Sequence, residues 1–110
     1  MKVIITQSLE KNYLKKYFSK QGLVKSLKDK RHLLITLHEP FFKYKNNIKT
    51  VAFRGVVFVS TNNALVPLCF FLKKDKQYGN NITWQTTKEL IEKEFSNASK
   101  DLENGNFDVF

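Results

Sequence analysis

Two β-rich runs separated by a short polar break constrain this chain more than any other stretch. Val51 to Ser60 reads Val-Ala-Phe-Arg-Gly-Val-Val-Phe-Val-Ser, Ala64 to Leu72 reads Ala-Leu-Val-Pro-Leu-Cys-Phe-Phe-Leu, and Thr61-Asn62-Asn63 lies between them. β-Branched and aromatic residues bounded by an Asn-Asn corner predict an antiparallel hairpin. In such a pair the head of the first strand lies beside the tail of the second. Arg54 stands near that head, while Lys73, Lys74, Lys76 and Tyr78 follow that tail. The hairpin is therefore expected to bring them together, although they are distant in sequence. Pro67 cannot donate a ladder hydrogen bond, so the second strand is bulged there or turns that position outward. Gly55 marks a bulge or a close backbone approach.

The flanking segments supply the remaining layers. Val3-Ile4-Ile5 reads as a first strand, and Ser8 is placed to cap a helix whose apolar face is Leu9, Tyr13, Leu14, Tyr17 and Phe18. Gly22 reads as its stop. A second helix is expected from Leu23 to Leu34, with Val24, Leu27 and Leu34 inward and Lys25, Lys28, Lys30 and Arg31 outward. Ile35 to Pro40 is ambiguous between helix end and loop. From Phe41 to Lys49 the chain alternates loosely; if Phe42 and Tyr44 face one side of a strand, Lys43 and Lys45 share the other. Thr83 can cap a last helix striped with Trp84, Leu90 or Ile91, Phe95, Ala98 and Leu102, which Asn104-Gly105-Asn106 ends. The expected fold is α+β, in the order β-α-α-β-β-β. A small, largely antiparallel sheet would carry an N-terminal αα-hairpin on one face. Residues 1–110 read as a single domain, with 83–104 a C-terminal helical extension.

Charge is unevenly placed. Residues 1–84 hold 16 Lys and Arg against 4 Asp and Glu, a net +12, whereas residues 85–110 hold 3 against 6, a net −3. A basic body with an acidic C-terminal segment predicts that an anion docks on the body. The longest apolar run, Ala64 to Leu72, is too short to cross a bilayer, and Met-Lys-Val-Ile-Ile-Thr lacks the apolar length of a signal peptide. A soluble, cytoplasmic protein is expected. One cysteine permits no intrachain disulfide, and its apolar strand makes Cys69 a core residue.

Several chemistries find no support. There is no glycine-rich phosphate loop, no paired carboxylate set, no serine-nucleophile motif and no metal-ligand spacing, and His32 and His38 are six apart, the wrong spacing for two ligands on one helical face. What remains is Lys, Arg and Tyr. Such a set can cleave RNA, because RNA carries its own nucleophile in the 2′-hydroxyl. The protein then has only to position the phosphate, offset its growing negative charge and handle two protons. The same residues equally describe a non-catalytic RNA-binding surface.

The strand–helix–helix–three-strand order over about residues 1–82 resembles the RelE/ParE superfamily of toxins from type II toxin–antitoxin modules. The resemblance is carried by the helical pair, by Lys43-Tyr-Lys45 and Ile48-Lys49 ahead of the strand Arg54-Gly-Val-Val-Phe-Val, and by Phe71-Leu-Lys-Lys-Asp-Lys-Gln-Tyr78-Gly-Asn-Asn-Ile82. In its ribonuclease branch the resemblance implies catalytic roles for Lys45, Lys49, Arg54, Lys74 and Tyr78, and RNA contacts from Lys43, Lys73 and Lys76. Arg54 and Lys74 would clamp the scissile phosphate, Lys45 or Lys49 would assist proton removal from the 2′-hydroxyl, and Tyr78 would stack on a base or orient the substrate. Lysine at position 74, where relatives carry arginine, would hold phosphate as a point charge and not as a bidentate fork. The implied function is an mRNA-cleaving toxin acting at or with the ribosome, neutralised by a cognate antitoxin, with no metal or organic cofactor. The alternatives are a ParE-like gyrase inhibitor and a non-catalytic nucleic-acid-binding domain of the same fold.

Overall fold

The computed structural model describes residues 2–14, 19–30, 33–48, 51–78 and 82–110. It is an α+β fold built on a four-stranded antiparallel sheet in the order β2 (Leu34–His38), β3 (Phe41–Ile48), β4 (Val51–Val59), β5 (Leu65–Leu72). The central hairpin forms as its pattern demands, and Asn63 takes the left-handed φ of 60° that lets the corner close. Gly55 is a close approach: a Cβ there would lie 2.3 Å from the Phe70 ring.

One bulge decides which side chain faces which layer. Val57 pairs with Pro67 but Val56 pairs with Cys69, so β5 carries one extra residue at Leu68. Because side chains alternate with period two, an added residue turns everything beyond it to the opposite face. Phe70 consequently lies opposite Gly55, and Phe71 lies opposite Arg54.

The helices differ from expectation in detail. Thr6, not Ser8, caps the first helical turn α1 (Gln7–Leu9), and the chain then winds as a π turn over Glu10–Leu14. The Ser8 amide instead donates to Asp101 Oδ2. Tyr17 and Phe18 fall outside the described residues, as does His32. Helix α2 (Lys20–Asp29) starts earlier than its apolar pattern suggested, because Ser19 Oγ accepts from the Gly22 amide. Gly22 thus sits in a first turn and stops nothing. β2 takes Ile35–His38 of the ambiguous stretch and the last residue expected of the second helix, and Glu39-Pro40 forms the turn into β3. The β-branched Ile35 and Thr36 of β2 pair with Lys43 and Phe42.

Helix α2 covers one face of the sheet, packing Leu23 and Leu27 in one core with Tyr44, Phe53, Val57 and Phe70. Helix α3 (Trp84–Asn104) covers part of the other, with Ile91 and Ala98 against Val56, Val66, Cys69 and Phe71. A Thr83–Thr86 capping box opens α3 and Gly105, at φ 73°, closes it. The last residues are not a loose tail. β6 (Phe107–Val109) pairs antiparallel with β1 (Ile4–Thr6), and Val3 of this ribbon bridges Leu65 at the sheet edge. Lys20 ties the ribbon to the first helical turns by pairing with both Glu10 and Asp108.

Candidate nucleic-acid interface

The two faces of the sheet sort the predicted residues. Along β3, Phe42, Tyr44 and Asn46 turn toward α2, so Lys43 and Lys45 share the α3 face, as the alternation required. Lys45 is the cross-strand partner of Arg54, and Arg54 is the partner of Phe71. Tyr78 folds back onto Phe71 with ring centroids 4.7 Å apart. One transverse row therefore reads Lys45, Arg54, Phe71, with Tyr78 laid on its end. Arg54 and Tyr78, expected from the hairpin to lie at one end of the sheet, are each neighbours of Phe71, which pairs with the first and carries the ring of the second.

The turn after β5 is built to hold that tyrosine. The Lys73 amide extends the ladder by donating to the Ala52 carbonyl at 3.0 Å, and alternation places Lys73 on the Arg54 face. The Asp75 amide then donates to the Leu72 carbonyl, while Asp75 Oδ1 accepts from the amides of Gln77 and Tyr78 at 2.9 and 3.0 Å. An Asx-type turn of this kind fixes backbone direction without a helix or strand. Gln77 Nε2 donates to the Tyr78 hydroxyl at 3.0 Å. Lys74 and Lys76 are exposed in this turn, near the row but not within it. Lys49 lies outside the described residues.

The electrostatics of the row are one-sided. Among the described residues, ion pairs involve Lys20 and Lys88 alone, so Lys43, Lys45, Arg54, Lys73, Lys74 and Lys76 have no acidic partner. Two cations directly opposite on neighbouring strands repel, at a cost on the order of 0.2–1 kcal/mol. Arg54 Nη1 donates to the Phe53 carbonyl at 3.1 Å, which orients the guanidinium, yet its Nε is buried without a hydrogen-bond partner. A buried donor left unmade costs about 1–3 kcal/mol. A phosphate lying over the row would offset the repulsion between the two cations.

Beside the row, the sheet is sealed by α3 around a buried carboxylate. Glu94 is 6% exposed and accepts from the Tyr13 hydroxyl and from Asn97 Nδ2. Burial, reinforced by the hydrogen bond to Glu94, pushes the Tyr13 phenol well above its ordinary 10.0. Burial likewise pushes the Cys69 thiol far above 9.0, with the Glu94 charge adding to it. Cys69 is a protonated core residue, not a nucleophile. Tyr13 also meets Phe71 edge-on at 6.0 Å, so the platform under Tyr78 is held from a second side. The sequence pattern offered no sign of Glu94, whose position on the apolar seam of α3 breaks the stripe that predicts the helix.

Among the described residues no three His, Cys, Asp or Glu side chains gather where a metal ion could sit, and no helix is long and apolar enough to cross a membrane. No family model, curated protein or solved structure matches this chain.

Proposed function

We propose that this chain is a metal-independent endoribonuclease, the mRNA-cleaving toxin of a type II toxin–antitoxin module, acting in the cytoplasm at the ribosome and restrained by a cognate antitoxin. The observation that carries this reading is the Lys45–Arg54 pair. Two adjacent cations, one with a buried and unpartnered Nε, lie on the face that also presents Tyr78. In the proposed step the 2′-oxygen of one ribose attacks the adjacent phosphorus, and the bond to the 5′-oxygen of the next nucleotide breaks. The products are a 2′,3′-cyclic phosphate and a 5′-hydroxyl. Arg54 offsets the charge growing on the phosphoryl oxygens, with Lys74 or Lys73 reaching in from the turn. Lys45 stands beside Arg54 to assist departure of the 2′-hydroxyl proton to solvent, water returns a proton to the leaving 5′-oxygen, and Tyr78, held against Phe71, orients the substrate.

Incubation with translating ribosomes, followed by mapping of new mRNA 5′ ends, tests the proposal. Parent protein is expected to generate them, and Arg54→Ala to slow their appearance by about 100- to 1,000-fold while keeping a native circular dichroism spectrum. Undiminished cleavage by Arg54→Ala removes Arg54 from the site. An absence of new ends, together with inhibition of gyrase supercoiling, replaces the nuclease with the gyrase-binding alternative.

A further inference from the structure

The open part of the α3 face does not end at Lys45. Moving along β3 away from Arg54, the next row holds Lys43 opposite Ile35, and the row after that holds Phe41 opposite His38. Ile35 is 49% exposed on this edge strand. His38 is exposed, and its ring stacks on Trp84 at 4.1 Å with the planes 10° apart. Trp84 in turn stacks on Phe41 at 5.8 Å. The first residue of α3 thus fixes an edge-strand histidine in one orientation, at the end of a strip that runs His38, Ile35 and Lys43, Lys45 and Arg54.

That order is aromatic, apolar, cationic, cationic. Single-stranded RNA presents flat bases and spaced phosphates, and proteins meet it with ring platforms for the former and unpaired cations for the latter. From the His38 row to the Lys45 row is four residues of β3, about 13 Å, which a few nucleotides span. We infer that the exposed face of the His38 ring, backed by Trp84, is a stacking seat for one unpaired base of a single-stranded RNA whose backbone continues over Lys43 to the phosphate site at Lys45 and Arg54. The inference rests on the ribonuclease reading and gives it a substrate class: unpaired RNA extending a few nucleotides to one side of the cleaved bond.

Trp84 is the single tryptophan of the chain, so intrinsic fluorescence reports directly on this seat. The probes are a 2′-O-methyl oligoadenylate 12-mer, which lacks the hydroxyl nucleophile and survives the titration, and an abasic 12-mer with the same backbone. The oligoadenylate is expected to change Trp84 emission on saturation and the abasic strand to leave it unchanged. His38→Ala is expected to weaken oligoadenylate binding by about 5- to 150-fold and abasic binding not at all. His38→Phe, which keeps a ring, is expected to restore affinity, and thermal melting confirms that each variant is folded. Oligoadenylate binding with flat Trp84 emission, or equal affinity in His38→Ala, overturns the seat while leaving ribosome-dependent cleavage untouched. Absence of binding by either strand, together with absence of cleavage, overturns the seat and the ribonuclease reading alike.

Discussion

The two faces of the central sheet handle polar groups in opposite ways. On the α2 face, the wholly buried Tyr44 hydroxyl lies 2.6 Å from Ser26 Oγ, donates to the Ser26 carbonyl at 3.0 Å and accepts from Asn46 Nδ2 at 2.9 Å. Asn46 Nδ2 also reaches Ser26 Oγ at 2.7 Å, so the small network closes on itself. On the α3 face, Lys45 and Arg54 stand side by side with no acid, and one guanidinium nitrogen is buried without an acceptor. A closed network rigidifies, whereas a half-made one costs stability. The first face is arranged to hold the fold together. The second departs from that arrangement along a single row, which is where a ligand would supply what the protein omits.

The comparison breaks most visibly if the α2 face proves dispensable. Phe70 fills the space left by Gly55 and meets Phe53 edge-on at 5.4 Å. Phe70→Ala should therefore lower unfolding free energy by about 3–5 kcal/mol, read from urea midpoints. A loss below 1 kcal/mol (on the order of a surface change) would mean that this face does not carry the fold.

Alkaline titration sharpens the contrast within the α3 face, between its sealed part and its open row. The Cys69 thiol and Tyr13 phenol have folded-state pKa values raised above their ordinary 9.0 and 10.0, chiefly by burial. The unfolded chain releases these protons first, so stability is full below about pH 9 and falls as pH rises beyond it, at about 1.4 kcal/mol per pH unit for each proton. Thermal melting from pH 7 to 11 should show that decline, and Cys69→Ala should delay its onset toward the tyrosine range. An unchanged onset would place the alkaline sensitivity elsewhere. Tyr44→Phe is the smaller test: it strands Asn46 and Ser26 partners and should cost about 1–2 kcal/mol without altering cleavage.

Much of this arrangement was readable in the sequence, and the omissions have physical causes. The hairpin from Val51 to Leu72 announced itself because β-branched runs and an Asn-Asn corner are local signals. Thr83 and Gly105 marked α3 for the same reason. β2 was hidden because five residues next to a lysine-rich helix carry too short a pattern to separate strand from helix end. The pairing of Phe107–Val109 with Ile4–Thr6 joins the two ends of the sequence, which no local pattern encodes. At the site, the placing of Arg54 beside the end of β5, from which the Tyr78 turn departs, followed from strand direction alone. Which of Phe70 and Phe71 lies beside Arg54 did not, because it depends on whether Pro67 produces a bulge and on which side of it the extra residue falls. Tyr13, Glu94 and the His38–Trp84 stack are products of packing between layers.

Lys45 and Arg54 are either held ready for RNA or simply part of the folded framework. Melting the parent and a Lys45→Gln/Arg54→Gln variant, each with and without the 2′-O-methyl 12-mer, asks this directly. The expected result is a variant that melts no lower than the parent in the absence of RNA, because a like-charged pair has been removed. RNA at 100 times its Kd for the parent should stabilise the parent by about 2.7 kcal/mol and the variant, which keeps His38 and Lys43, by clearly less. A variant that melts far below the parent yet gains the same stabilisation from RNA would contradict the account.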